Sequence, residues 1–226
     1  MSVTDKAVLA QRNSAIADHI SAQPGVQRIA NRALDLFVAR DFLDDEECRL
    51  LIEKIDNDAR PSTLLASTDD QEFRTSYSCD FNRQAPEIDA IEEKIVRFMG
   101  IPKENGETIQ GQRYAVGQQF KPHHDWFYAD QDYWKTEKDQ GGQRIWTAMV
   151  FLNDTQTGGA TRFKKIGKMF HAEKGKLLCW NNLDAHGEPN TWTLHQGMKV
   201  REGVKYIITK WFRELPWIYS GEPSQY

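Results

Sequence analysis

The sequence contains few cysteines, and none of them stands in a metal-binding or redox motif. The three cysteines, Cys48, Cys79 and Cys179, are far apart and form no Cys-x-x-Cys pair. An odd number of widely spaced cysteines does not predict a disulfide framework, and free cysteine is commonly a buried apolar residue. We therefore expect reduced thiols with structural roles in a cytoplasmic protein.

Long apolar runs and an excess of positive charge are also lacking. No apolar stretch approaches the roughly 20 residues that span a membrane. Residues 1–23 are polar and lack the apolar segment of a signal peptide. The net charge of the 226-residue chain is −4, which disfavours a broad nucleic-acid-binding surface. These features predict a cytoplasmic globular protein that binds neither membranes nor nucleic acid.

The chain does contain a helical first part and a β-rich second part. Apolar periodicity and end signals predict helices over residues 1–22, after Asp44, and over residues 87–99. Short β-rich runs separated by glycine-containing turns dominate after residue 107. The β runs are residues 34–42, 109–116, 145–152, 176–180, 191–200 and 204–212. This order predicts a mainly β, α+β fold with the helices packed on one sheet. We expect residues 1–30 to be an N-terminal extension and residues 31–226 to form one domain.

A His-x-Asp pair and a distant histidine are candidates for a metal site. Side chains alternate along an extended segment, so His123 and Asp125 share one face, and His195 can complete three ligands on one side of a metal. Non-haem Fe(II) oxygenases use such a set because it leaves the opposite side open. His124 faces the other way, whereas His186, in a turn-like stretch, is the main rival to His195. The alternative is that these histidines are ordinary surface or core residues.

The last β run carries a lysine at an apolar position. Side-chain alternation over residues 204–211 places Lys205 on an otherwise uncharged face. An inward lysine is costly unless its charge is paired, so a bound dicarboxylate would supply the missing anion. The alternative is that Lys205 faces solvent and Tyr206 faces inward. Because Lys205 follows His195 closely in the sequence, we expect the two residues on adjacent strands.

Four blocks of sequence occur in a fixed order along the second half of the chain. They are residues 114–127, residues 141–154, the Gly-Gly-Ala-Thr-Arg-Phe stretch at 158–163, and His195 together with residues 204–211. Together they resemble the catalytic domain of prolyl 4-hydroxylases in the Fe(II)/2-oxoglutarate dioxygenase superfamily. The Arg-Thr-Ser stretch at 74–76 and the helix opening at Asp44 also fit, so the resemblance covers roughly residues 34–213.

The resemblance implies a double-stranded β-helix, or jelly roll, with helices packed on one sheet. It implies that His123, Asp125 and His195 bind Fe(II). The cosubstrates would be 2-oxoglutarate and O2, the co-products would be succinate and CO2, and ascorbate would support turnover. The protein supplies binding and orientation in such a reaction, whereas the metal and cosubstrate carry out the oxidation.

The resemblance also implies roles for residues around the metal. Lys205 would bind the distal carboxylate of 2-oxoglutarate through a charge-assisted hydrogen bond, assisted by Tyr114 and Thr161. Trp211 would lie near the same pocket. Arg144, the implied catalytic residue, would lie near a peptide-binding groove.

The implied substrate is a prolyl residue of a peptide or protein. Residues 128–142 are predicted to form a loop that acts as a lid or contacts the substrate. Nearby aromatic residues would either form a stacking wall for a proline ring or simply pack within the loop; they are Trp126, Phe127, Tyr128, Tyr133 and Trp134. The alternatives keep the cofactors but change the substrate to a free amino acid, a small metabolite or an alkylated nucleobase, which the acidic pI disfavours. A further alternative is a jelly-roll binding module with a vestigial metal site.

Overall fold

The structure, a computed structural model, describes residues 3–65 and 68–218 of the chain. Within these ranges the chain forms four α-helices, which are α1 (Lys6–Ser21), α2 (Asp45–Asp58), α3 (Pro86–Met99) and α4 (Trp134–Asp139). The strands are β1 (Val26–Arg28), β2 (Leu36–Ala39), β3 (Arg60–Pro61), β4 (Tyr77–Asp80), β5 (Gln110–Tyr114), β6 (Phe120–His123), β7 (Arg144–Phe151), β8 (Thr157–Gly158), β9 (Thr161–Phe163), β10 (Lys168–Phe170), β11 (Leu177–Asn181), β12 (His195–Gly197), β13 (Val200–Glu202) and β14 (Lys205–Arg213).

Two antiparallel sheets contain most of these strands. Eight strands form the larger sheet in the order β1-β2-β11-β7-β14-β5-β4-β3, and four form the smaller sheet in the order β10-β9-β12-β6. The two long central strands of the larger sheet, β7 and β14, are buried along most of their length. Both are rich in β-branched and aromatic residues, which suit a strand covered on both faces.

The larger sheet packs against the helices on one face and against the smaller sheet on the other. Because side chains alternate along a strand, Ala148 and Val150 of β7 join the core shared with α1, α2 and α3. Met149 and Phe151 of the same strand join a second core, which includes Phe163 of the smaller sheet. The prediction of a mainly β fold with helices on one sheet is confirmed, and the jelly-roll connectivity stays a prediction.

Helices α1 and α2 begin where the sequence places acidic caps. Asp44 accepts from the backbone amides of Glu46 and Glu47 while the Glu47 side chain accepts from the Asp44 amide, a reciprocal cap for α2. Asp5 caps α1 from one side only, its carboxylate accepting from the backbone amides of Ala7 and Val8. Helix α1 lies within the predicted extension, and its Leu9 and Ile20 are fully buried in the main core. The predicted division of the chain at residue 30 stays a prediction.

Three predicted segments differ from the structure. The run 191–200 is not one strand, because the Asn190 side chain caps a short 3-10 turn at Thr191–Thr193 and β12 begins only at His195. The run 34–42 is shortened to β2. The segment 128–142 is not entirely loop, because it contains α4, whose Glu137 makes an ion pair with the buried Arg213.

The three cysteines are free and buried. Burial raises the pKa of Cys48 to about 11 and that of Cys79 to about 12, so neither is a thiolate at neutral pH. No described helix combines the length and the apolar composition that crossing a membrane requires.

Candidate metal and cosubstrate site

Two strands of the smaller sheet bring the two candidate histidine ligands together. In the pairing of β6 with β12, His195 lies directly opposite His123, so both imidazoles project from the same face. Asp125 follows β6 by two residues, and its Oδ1 lies 3.7 Å from His123 Nε2 and 3.8 Å from His195 Nε2. One ligand atom from each residue lies within 4.8 Å of the other two, which is close enough for the three to hold a single ion.

Backbone carbonyls orient both imidazoles. His123 Nδ1 lies 2.8 Å from the Lys121 carbonyl oxygen, and His195 Nδ1 lies 2.9 Å from the Thr193 carbonyl oxygen. A carbonyl only accepts, so each Nδ1 carries the proton, and each Nε2 presents its lone pair towards Asp125. This is the second hydrogen bond that metal-binding histidines usually make.

The protonation states also suit a divalent cation. Burial, with a smaller contribution from the nearby His195, lowers the pKa of His123 to about 3, so the imidazole is neutral at pH 7. Burial alone would raise the pKa of Asp125, but the two histidines and a hydrogen bond from Thr147 outweigh it and hold that pKa below its usual value. The neutral His123 imidazole, the Nε2 atom of His195 and one ionised carboxylate match the donor set that binds non-haem Fe(II).

A short hydrogen-bonded chain supports the carboxylate. Thr147 Oγ1 donates to Asp125 Oδ2 at 2.7 Å, and Asn182 Nδ2 donates to Thr147 Oγ1 at 2.9 Å. All three residues are buried. The chain engages Oδ2, so that Oδ1 is the oxygen turned towards the two histidines.

Aromatic rings hold the imidazoles in place. The Phe120 ring stacks on His123 with centroids 3.5 Å apart and an interplanar angle of 13°. Phe163 stacks on His195 at 5.4 Å, and Trp180 meets the same imidazole edge-on at 4.9 Å. These contacts restrict ring rotation, which preorganises the ligand set before any metal binds.

Lys205 lies in the cavity that the triad also lines. The side chain is 1 % exposed, and its Nζ lies 5.1 Å from the centroid of the Tyr114 ring and 5.3 Å from that of Phe151. In the described part of the chain no carboxylate pairs with Lys205, and burial lowers its pKa to about 7. The prediction of an inward lysine without an acidic partner is confirmed. A bound carboxylate would satisfy this ammonium group.

The expected adjacency of Lys205 and His195 is wrong. His195 belongs to β12 of the smaller sheet, whereas Lys205 begins β14 of the larger one and pairs with Tyr114 of β5. The chain between them crosses from one sheet to the other, so the two residues face each other across the cavity. Sequence proximity could not distinguish this crossover from a hairpin.

The other predicted pocket residues line the same cavity, namely Tyr114, Thr161 and Trp211. Tyr114 Oη donates to Gln112 Oε1 at 2.8 Å. The indole nitrogen of Trp211 is buried and finds no acceptor among the described residues. An unpaired buried donor in the wall is consistent with a polar ligand in this cavity.

Arg144 is engaged in an ion pair next to the cavity. Its guanidinium makes two 2.6 Å hydrogen bonds to the Glu107 carboxylate and lies 4.1 Å from the centroid of the Trp211 ring. Glu107 also accepts from Arg213. The structure therefore places Arg144 behind the cavity wall formed by Trp211, and its catalytic role stays a prediction.

The competing histidines lie away from the ligand set. His124 Nδ1 lies 2.8 Å from Tyr128 Oη, on the side opposite His123. His186 is exposed and lies outside the cluster that could share an ion.

The aromatic residues after Asp125 divide into two groups. Trp126 and Tyr128 contact each other and His124. Phe127 is buried and packs with the half-buried Tyr133 and Trp134. Tyr128 of the first group is the one exposed ring among these five residues.

Sequence reasoning missed several residues that shape the site. Thr147 and Asn182 support Asp125, and Phe120 and Phe163 support the histidines. A signal for Thr147 was available, since it is the polar residue within the apolar run of β7 and shares a face with Met149. The stacked phenylalanines carried no such signal, because the sequence pattern does not distinguish them from other core residues.

Comparison with known proteins agrees with this geometry. Residues 109–213 match the family model of the 2OG-Fe(II) oxygenase superfamily. The chain is 35 % identical over 206 residues to the probable prolyl 4-hydroxylase 8 of Arabidopsis thaliana, covering 78 % of this chain and 67 % of the relative. It is 34 % identical to prolyl 4-hydroxylase 1 of the same organism, covering 79 % and 69 % of the two chains.

A solved structure shows the same relationship. A viral collagen prolyl hydroxylase from Paramecium Bursaria Chlorella virus-1, in complex with 2OG, superposes with a TM-score of 0.63 at 27 % identity. The superposition covers 80 % of this chain and 96 % of the viral one.

Proposed function

This chain belongs to the 2OG-Fe(II) oxygenase superfamily and is a relative of the plant prolyl 4-hydroxylases, and we propose that it hydroxylates prolyl residues of a peptide or protein. It is a 2-oxoglutarate-dependent dioxygenase, with Fe(II), 2-oxoglutarate and O2 as its cofactor and cosubstrates. One oxygen atom enters the substrate and the other enters succinate as CO2 is released. The proposal includes a cytoplasmic location, and ascorbate as support for turnover.

Each residue of the cavity has a role in this proposal. His123, Asp125 and His195 hold Fe(II) through two Nε2 atoms and one carboxylate oxygen. Bound iron supplies the activation of dioxygen at positions that the protein leaves open. Lys205 donates from its ammonium group to the distal carboxylate of 2-oxoglutarate.

The remaining wall residues orient the cosubstrate and exclude water. Tyr114 and Thr161 line the cavity beside Lys205, and the Trp211 indole offers a buried donor. Arg144 packs on the Trp211 ring from behind the cavity wall and so holds that ring in place. A water-poor cavity strengthens each of these charge-assisted contacts.

One observation carries the proposal: a three-ligand site and a buried lysine without a carboxylate partner line the same cavity. A binding module with a vestigial metal site would have no physical need to keep a buried lysine without an anionic partner beside an intact set of metal ligands. The prolyl substrate is supported by the identity to relatives named prolyl 4-hydroxylases.

The test is a panel of proline-containing peptides incubated with the protein, Fe(II), 2-oxoglutarate and ascorbate. We expect succinate formation that depends on peptide, with an equimolar mass gain of one oxygen located on proline by fragmentation. Asp125→Ala is the inactive control, and His186→Ala is the matched active one. Succinate formation that ignores every peptide would contradict the prolyl substrate and favour an amino acid or small metabolite.

A further inference from the structure

Four side chains, three of them exposed and His124 half-buried, form a group next to the metal ligands. We call His124, Tyr128, Lys165 and Trp192 the rim. His124 Nδ1 lies 2.8 Å from Tyr128 Oη, and Lys165 Nζ lies 5.9 Å from the centroid of the Trp192 ring. His124 Nε2 lies 3.3 Å from the Thr191 carbonyl oxygen, which joins the two halves of the rim.

The rim adjoins both imidazole ligands. His124 directly follows His123 in the chain. Trp192 belongs to the turn that ends at Thr193, whose carbonyl oxygen orients His195. The backbone amide of Lys164 donates to the Leu194 carbonyl oxygen at 2.9 Å, which fixes the β9–β10 turn beside the same ligand. These contacts place the rim next to both imidazole ligands.

The backbone under the rim is well anchored, although its aromatic rings are exposed. Trp192 is 43 % exposed and Tyr128 is 42 % exposed. The Asn190 side chain accepts from the Trp192 amide at 2.9 Å, and the Trp126 indole donates to the Asn190 carbonyl at 3.2 Å. Large aromatic rings held at a fixed place on the surface are typical of binding sites.

The rim is bounded by positive charge on one side. The β9–β10 hairpin carries four exposed cations that form no ion pair in the described part of the chain, namely Arg162, Lys164, Lys165 and Lys168. This concentration contrasts with the net charge of −4 for the whole chain. On the other side of the rim, close to Tyr128, the exposed Asp130 and Asp132 carry negative charge.

We propose that the rim binds the substrate chain beside the target residue and selects peptides with acidic residues on the flank that meets the β9–β10 hairpin. This inference rests on the proposed function and specifies its substrate class. The Trp192 and Tyr128 rings contact the peptide, and Lys164 and Lys165 pair with its carboxylates. Acidic residues near Tyr128 disfavour the reverse orientation, so opposite charges at the two ends of the rim set the direction of the bound chain.

The test uses fluorescein-labelled proline peptides that differ only in three consecutive flanking residues, which are Asp, Asn or Lys. Binding is measured by anisotropy on the Mn(II)-loaded protein with 2-oxoglutarate, at two salt concentrations. We expect the Asp peptide to bind most tightly, with Lys164→Glu/Lys165→Glu weakening it by about tenfold and reversing the preference towards the Lys peptide. Trp192→Ala should weaken all three peptides, and Trp192→Phe should restore binding.

A matched control lies at β13, which pairs with β8 outside the smaller sheet. Lys199 and Arg201 are also exposed cations without an ion pair among the described residues, and they follow β12 at the end away from His195. Lys199→Glu/Arg201→Glu makes the same change in charge and should leave the peptide preference unchanged. Equal weakening by both double variants, or equal competition by a single-stranded oligonucleotide, would indicate general attraction of anions and would overturn the proposal.

Binding and turnover separate this inference from the proposed function. If the protein hydroxylates proline and Lys164→Glu/Lys165→Glu does not change the KM for the peptide, the peptide-binding role of the rim is refuted and the proposed function stands. If the Asp peptide binds tightly and its binding depends on the rim, but no oxygen is added to proline, the peptide-binding role of the rim stands and prolyl hydroxylation is refuted.

Discussion

Replacing Lys205 with methionine should make the ligand-free protein more stable while removing its affinity for 2-oxoglutarate. Burial brings the pKa of Lys205 from 10.5 to about 7. Each pH unit of this difference corresponds to about 1.4 kcal/mol, so keeping this side chain in the fold costs about 4 kcal/mol near pH 7. Methionine has a similar length and carries no charge, and we expect the free energy of unfolding to rise by roughly 2–4 kcal/mol.

The pH dependence gives this prediction a sign that can be checked. The folded pKa lies below the unfolded one, so the unfolded chain binds the additional proton between about pH 7 and 10.5. Stability of the unmodified protein therefore rises with pH in this window through this group. The gain from Lys205→Met is largest below pH 7 and shrinks as the pH approaches 10.5.

Lys210, on the same strand, is the matched control. It is also fully buried, but its Nζ donates to Glu92 Oε1 at 2.5 Å and to the Glu107 carbonyl at 2.7 Å. Lys210→Met removes one of the two cations that contact the buried Glu92 carboxylate, leaving Arg83 as its remaining partner, and should destabilise the protein by roughly 1–3 kcal/mol. Urea unfolding at pH 6 and pH 9 measures both variants. Equal destabilisation by Lys205→Met and Lys210→Met would refute the claim that Lys205 has no anionic partner in the ligand-free protein.

Three further predictions follow from the same contacts. Thr147→Val removes the hydrogen bond to Asp125 and should raise the Kd for Mn(II) by about tenfold or more, whereas Thr147→Ser should leave it unchanged. Equal Kd values for Thr147→Val and the unmodified protein by calorimetry would show that Thr147 does not support the metal ligand. The Kd for 2-oxoglutarate on the Mn(II)-loaded protein should rise by up to about tenfold per pH unit above pH 7 as Lys205 loses its proton, and a flat profile would contradict it. Glu137→Gln weakens the pair with Arg213, so amide exchange in α4 should accelerate while that of β7 stays slow.

The ligand set was predictable because it depends on local spacing and on residue types that have few other uses. His123 and Asp125 needed only strand alternation. The same alternation placed Lys205 on an apolar face, and the lack of an acidic partner there predicted a bound anion. The larger arrangement required information that the sequence pattern does not contain. The chain between His195 and Lys205 could form a hairpin or cross between the two sheets, and the outcome depends on how both sheets pack. In the structure the chain crosses between the sheets.

Long-range ion pairs were the other source of difference. Helix α4 was not predicted because its turn is stabilised by Glu137 contacting Arg213, far along the chain. Arg144 likewise finds its partner in Glu107 before β5. Such pairs have no periodic signature, so residues that act through them are visible only in the folded chain.

The most direct test of the central claim is an iron titration followed by succinate formation from 2-oxoglutarate. We expect the unmodified protein and His186→Ala each to bind one Fe(II) per chain and to form succinate. Asp125→Ala and His195→Ala should keep the fold by circular dichroism but lose both properties. Full iron-dependent turnover by Asp125→Ala, or loss of turnover by His186→Ala, would contradict the assignment of the metal centre.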